Sequence, residues 1–270
     1  MAEMATQTSF LLPMATLWWR ELVRFFRQRS RVWGTLATPL IFWLFIGSGL
    51  GSSFHPPSEP GGSGYLQYFF PGTVIMIVLF TSILSTMSVI EDRREGFLLS
   101  VLVAPVSRSS LVLGKVMGGT TQAVFPGFIF LFLGPVVGFT LHPMQLLEMA
   151  GILFLIAFWL TSIGFFIAWA MDSVQGFHAI LNLVLTPMWV LSGALFPSSG
   201  ASLWVQWIMT LNPLTYGVAA LRRLMYGETA TVARDVAPLA LSLELTILFG
   251  LLAVAAALVW SGRPTAKNLG

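Results

Sequence analysis

Glu91-Asp92-Arg93-Arg94-Glu95, closed by Gly96, is the tightest charge run in this 270-residue chain. Carboxylates and guanidiniums so close together suit charge-assisted hydrogen bonds, roughly twice as strong as neutral ones. The run lies between two apolar stretches long enough to cross a bilayer. Charge is costly at membrane depth, so the run belongs in water or against a partner. A compact charged segment on one membrane face offers a motor subunit something to grip. The bland alternative is a solvated loop that only enforces topology.

Other chemistry is sparse. His55, His142 and His178 lie on different segments without metal-ligand spacing, so they read as interfacial polar residues. No His-Glu-x-x-His or Gly-x-Ser-x-Gly occurs. Gly114-Lys115 lacks the upstream glycine spacing and the following hydroxyl of a phosphate-binding loop, so the chain does not hold ATP by that device. There is no cysteine, which excludes disulfides, thiolate metal sites and cysteine nucleophiles. Catalytic and metal-binding sets are therefore not expected. Glu244 is an acid placed well inside an apolar stretch, a functional candidate by default. The alternatives are hydration near the headgroups or pairing with Arg222, Arg223 or Arg234. A proton relay would need further ionisable partners through the apolar segments, and the sequence supplies none.

Membrane helices must position these residues. Hydrophobic residues make up 56% of the chain and charged ones 9%, where a soluble globule has about a quarter charged. Six stretches approach the roughly 20 apolar residues a spanning helix needs: 34–53, 67–89, 115–139, 147–170, 177–197 and 237–260. The first apolar segment has a basic flank and no small-residue cleavage signal, so it reads as an uncleaved signal anchor. Arg20, Arg24, Arg27, Arg29, Arg31, Arg93, Arg94, Arg108, Lys115, Arg263 and Lys267 fall on one side of a six-span chain, and Arg222, Arg223 and Arg234 on the other. Both termini are then expected to be cytoplasmic.

Two segments fall outside the simple pattern. Over 14–33, Trp18, Leu22, Phe25, Phe26, Val32 and Trp33 oppose Arg20, Arg24, Arg27 and Arg31 at helical spacing. This predicts a basic amphipathic helix in the headgroup plane, either as a general lipid anchor or in a specific role. Residues 201–225 would make a seventh span, but Asn212-Pro213 breaks them in the middle. Two half-helices that dip into the outer leaflet and return fit that break. Small-residue pairs at Gly47/Gly51, Gly114/Gly118 and Gly134/Gly138 permit close helix contact. The expected fold is an all-α polytopic membrane protein with an N-terminal amphipathic helix over 1–33. A six-span domain over 34–270 follows, with a cytoplasmic loop at 90–115 and an external re-entrant hairpin within 198–236.

Glu91, Arg94, Gly96 and Leu99, followed by Ala104-Pro105-Val106, Leu111 and Gly114-Lys115, form a pattern that resembles the permease subunits of type-2 ABC exporters, the group with drug, polysaccharide and lipid exporters. Asn212-Pro213-Leu214, Tyr216 and Arg222 resemble that family's segment before its last span. The likeness covers nearly the whole chain. It implies two permeases around a central pathway in the bacterial inner membrane, each above one soluble ATPase that carries ATP and Mg. It makes Glu91, Asp92, Arg93, Arg94, Glu95 and Gly96 the ATPase-coupling segment. It also implies a contact between permeases through spans one and five, where Gly47, Gly51, Pro187 and Gly193 permit close or kinked packing. No cofactor is expected on this chain, and no nucleic-acid partner.

An amphipathic or lipid-linked substrate fits apolar walls better than a small ion. Phe42, Trp43, Phe69, Phe70 and Trp189 offer surfaces for stacking sugars or drugs, unless they face lipid. Two other classes remain: an intramembrane lipid-modifying enzyme, which needs converging acids or metal ligands at one depth, and a channel or scaffold, which needs no ATPase.

Overall fold

The computed structural model describes residues 10–50, 64–227 and 236–262. Regular elements among them are all helical. In order they are α1 (Leu11–Arg27), α2 (Arg29–Gly49), α3 (Tyr65–Ser85), α4 (Met87–Arg94), α5 (Phe97–Val103), α6 (Arg108–Leu131), α7 (Pro143–Ala170), α8 (Val174–Trp189), α9 (Leu203–Leu211), α10 (Pro213–Tyr226) and α11 (Leu239–Gly262). Gly51, His55, Arg234, Arg263 and Lys267 lie outside the described residues.

Five described helices are long and apolar enough to cross a membrane: Arg29–Gly49, Tyr65–Arg94, Pro143–Ala170, Val174–Ala194 and Leu239–Gly262. They fall on five of the six expected stretches. The sixth, 115–139, is covered by α6, which has the length at 24 residues but carries Lys115 and Gln122 among its apolar side chains. The chain is an all-α, multi-pass membrane protein.

α3 is the centre of the bundle. Phe69, Phe70, Val74, Ile75, Val78 and Leu79 are wholly enclosed by neighbouring helices. The aromatic residues expected to line a pathway are mostly here. Trp43, Phe70 and Phe130 pack ring against ring, with Trp43–Phe70 centroids 5.5 Å apart. Trp189 donates its indole N–H to the Gly72 carbonyl at 2.9 Å. Four of the five are therefore core, closed to a sugar or drug, and Phe42 is the exposed one. Hydrophobicity alone does not distinguish core from wall.

The 14–33 segment differs from expectation. It is two helices, because Gln28 leaves helical geometry at φ −90° and ψ 78°. Arg31, Val32 and Trp33 thus belong to α2, not to the amphipathic helix. α1 lies along α6 at close range: a Cβ on Gly114 would meet the Met14 carbonyl oxygen at 2.8 Å, and one on Gly118 would meet Glu21 Cβ at 2.7 Å. The small-residue pair of α6 seats α1. Leu17, Leu22 and Phe25 turn inward, while Leu11, Leu12, Trp19 and Phe26 stay exposed.

The break at Asn212 is as the sequence predicts. The Asn212 side chain accepts from Leu214 N–H at 3.0 Å and donates to the carbonyls of Met188 and Leu191 at 2.6 and 3.0 Å. Pro213 occupies the first turn of α10, where its missing N–H costs nothing. Tyr216 donates its hydroxyl back to the Thr210 carbonyl at 2.8 Å, tying α10 to α9. Neither helix alone has the roughly 20 residues of a span.

Candidate functional site

The Glu91–Glu95 run lies at the C-terminal end of α4, where α1, α6 and α7 converge. Asp92 is fully enclosed, and Glu21 of α1 and Lys115 of α6 are 3% and 5% exposed. Lys115 Nζ donates to Glu21 Oε1 at 2.7 Å and to Asp92 Oδ2. Arg20 grips both oxygens of Asp92 in a fork, at 2.8 and 2.9 Å. Arg24 bridges Asp92 and Glu91 at 3.1 and 2.7 Å. Asp92 thus holds Arg20, Arg24 and Lys115 together. Its hydrogen bonds push the Arg20 pKa further above its already high ordinary value.

The basic half of the run works differently. Arg93 donates to the carbonyls of Trp169 and Met171 at 2.7 and 2.9 Å, and Arg94 to that of Asp172 at 3.0 Å. These are carbonyls at the C-terminal end of α7, where cations are favoured. Arg108 repeats the device on α11, donating to Ser261 and Gly262 at 2.9 Å each. The nine basic residues between Arg20 and Lys115 therefore gather at one end of the bundle, together with the C-terminal ends of α7 and α11.

The segment expected to couple so divides. Asp92 faces inward, against the expectation that the whole run is presented to a partner, because an unpaired carboxylate at this buried position would be costly. Glu91, Arg93 and Arg94 bind within the chain. Glu95 stays exposed, its nearest cation Arg24 at 3.8 Å. Gly96 adopts φ +76°, the left-handed turn that separates α4 from α5. α5 then presents Leu99, Ser100 and Val103 outward, with Pro105 beyond. Phe97 of α5 stacks under Arg20, whose guanidinium carbon is 3.7 Å from the ring centroid. That contact ties the exposed helix to the buried cluster.

The arginines expected in the headgroup plane divide too. Arg20 and Arg24 turn to the loop carboxylates, Arg31 donates to the Leu84 carbonyl at 3.0 Å, and Arg27 remains exposed. Of the expected permease contact, Gly47 is buried against Leu66 and Gly193 is enclosed under α10, so both serve packing inside the chain. Pro187 is exposed.

Three residues take parts that the sequence does not reveal. Glu21 is a lone acid among arginines, and Lys115 reads as the polar start of a span. Arg222 reads as an external charge, yet it is 1% exposed. It donates to the Gly193 carbonyl at 3.0 Å and lies 4.3 Å from the centre of the Tyr68 ring. Gly193, at φ +81°, is where the helix begun by α8 loses its regular geometry.

A family model described as ABC-2 type transporter matches residues 14–226. The chain is 30% identical over 164 residues to the putative transport permease ycf38 of Cyanophora paradoxa, covering 60% of this chain and 57% of that one. It is 25% identical over 216 residues to the daunorubicin resistance ABC transporter permease protein DrrB1 of Streptomyces coeruleorubidus, covering 77% and 73%. It is 26% identical over 227 residues to the inner membrane transport permease YadH of Escherichia coli (strain K12), covering 79% and 82%.

Proposed function

This chain belongs to the ABC-2 type transporter family, and we propose that it is the membrane subunit of an ATP-driven exporter that moves an amphipathic, lipid-linked or glycan-type molecule or drug outward. The observation that carries the reading is the arrangement around α5. A short helix with an exposed apolar face is fixed by Phe97 and Arg20 to a buried ion cluster that joins three helices. Force applied to α5 by a soluble partner would reach α1, α4 and α6 together. ATP and Mg reside on that ATPase. Glu95, Gly96 and Leu99 form the docking face, while Glu91, Asp92, Arg93 and Arg94 hold it in place.

The working unit is two copies of this chain with two ATPase subunits. Exposed apolar residues on α2 and α8 support a contact between copies: among the described residues Ile41, Phe45, Leu183 and Val184 are half or more uncovered. Phe42 and Trp189 meet between these helices, so the two faces adjoin. The affinity-purified complex is expected to hold equal numbers of permease and ATPase. Glu95→Lys or Leu99→Asp should weaken ATPase association about tenfold, one interface contact of roughly 1–2 kcal/mol, while the permease still inserts. Normal binding and export by both variants would refute the docking face.

Both termini are cytoplasmic in this reading, in a bacterial inner membrane, and α9–α10 form a re-entrant hairpin on the outer side. The gathering of basic residues at the α5 end supports it. Reporter fusions after Gly270 and within 228–235 are expected to report opposite sides. The same side for both would restore a seventh span.

A further inference from the structure

A cleft of about 330 Å³ opens between α2 and α3. It is near the lower end of the range of small-molecule sites, roughly 300–1,000 Å³. Its walls are apolar for most of their length, with Pro39 of α2 facing Met76, Ile77 and Phe80 of α3. Its polar groups are Arg31, Thr35, Thr38 and Thr81. Arg31 stands at one end, beside Leu84, and Pro39 and Met76 mark the other. From Leu84 to Met76 the helix rises about 12 Å.

Two side chains here lack the partners they need. Arg31 donates one N–H to the Leu84 carbonyl, which holds it in place, and no carboxylate among the described residues forms an ion pair with it. A guanidinium has several more donors to satisfy. Leu84 lies about two turns deeper along the helix than Asp92, or ~12 Å, so this cation sits inside the bundle end, where an unpaired charge is costly. Thr81 is 4% exposed, lines the cleft, and has no hydrogen-bond partner among the described residues. Pro39 cannot donate to the Thr35 carbonyl one turn back, which leaves a further acceptor on the cleft wall.

We infer that the cleft is a binding site for an anionic phospholipid of the surrounding bilayer, with its phosphate on Arg31 and one acyl chain along Pro39, Met76, Ile77 and Phe80. Charge complementarity selects the headgroup. The basic end of the bundle faces the membrane surface, so the phosphate reaches Arg31 from the level where lipid headgroups lie. The apolar walls then lead away from that level, the direction an acyl chain takes. Arg27 and Arg29 are exposed at the same end and raise the local concentration of anionic lipid. The site needs no ATPase, so its test is independent of the transport reading.

The test reconstitutes the full-length permease in bilayers with phosphatidylglycerol bearing a photoreactive acyl chain, or phosphatidylcholine bearing the same chain. Labelled peptides are mapped by mass spectrometry. Phosphatidylglycerol is expected to label 31–39 and 76–84 about tenfold more than phosphatidylcholine, the weight of one charge-assisted hydrogen bond. Arg31→Gln should reduce it to the phosphatidylcholine level, whereas Arg29→Gln should lower it only slightly, by the loss of one surface charge. Thr38→Trp, at an exposed position, should fill the cleft and remove labelling by either lipid without touching the charge. Equal labelling by the two lipids overturns the inference, as does labelling unaffected by both Arg31→Gln and Thr38→Trp. So does loss of the label when ATPase and ATP are supplied, since the occupant would then be cargo.

Discussion

Asp92→Ala is expected to cost about 3–5 kcal/mol of stability, the usual penalty for removing one partner of a buried ion pair. The reason is what it leaves behind. Lys115 is 5% exposed and would keep only Glu21 and Ser88 as partners. Arg20 and Arg24 would lose their shared acceptor, although both are partly exposed and can turn to water. The burden therefore falls on Lys115. The paired replacement Asp92→Leu with Lys115→Met should recover part of the loss, because it removes two buried charges together and leaves Glu21 with Arg20 at 3.4 Å. Unfolding of the detergent-solubilised permease, followed for wild type, Asp92→Leu, Lys115→Met and the pair, gives the coupling energy directly. Independent, additive effects would show that the cluster is not one unit.

Arg222→Ala is expected to cost about 3 kcal/mol, from lost charged hydrogen bonds and the cavity left by a large buried side chain. Arg222 is among the largest fully enclosed side chains, and its guanidinium holds the Gly193 carbonyl where the α8 helix ends. Arg222→Lys should recover little, since an ammonium lacks the planar fork. Tyr68→Phe removes the hydroxyl that accepts from Arg222 and donates to the Gly193 carbonyl, and should cost about 1–2 kcal/mol. The distinguishing measurement is hydrogen exchange. Arg222→Ala should loosen 190–195 while leaving α7 protected. Uniform loss across the bundle would mean that Arg222 supports the fold in general rather than this turn.

The sequence made the spans legible because a bilayer imposes length and apolarity on each one locally. The Asn212 break was legible for a similar reason: proline acts on its own turn. The ion cluster was not. Glu21 and Lys115 are 94 residues apart, and only the packing of α1 on α6 brings them together. Charge counting sees Glu91–Glu95 as outward-facing because it registers sign and position but not partners. Gly114 and Gly118 announced a close contact, but nothing in their spacing identified α1 as the occupant. Gly47 and Gly193 were read as contacts between copies from the family resemblance, and both pack inside one copy. The turn at Gln28 was hidden because apolar and basic residues keep helical spacing across it.

The seat of α1 on α6 has a consequence for how the protein is made. The ribosome delivers α1 before Asp92, and Lys115 another 23 residues after that. Before α6 emerges, Glu21 has no ammonium to bind and the Gly114/Gly118 groove does not exist. A nascent chain that ends before α6 thus carries a helix without its docking surface. α1 is translated before the surface it needs, and it can be locked in place only after α6 has been synthesised. Its closure marks the completion of the N-terminal half.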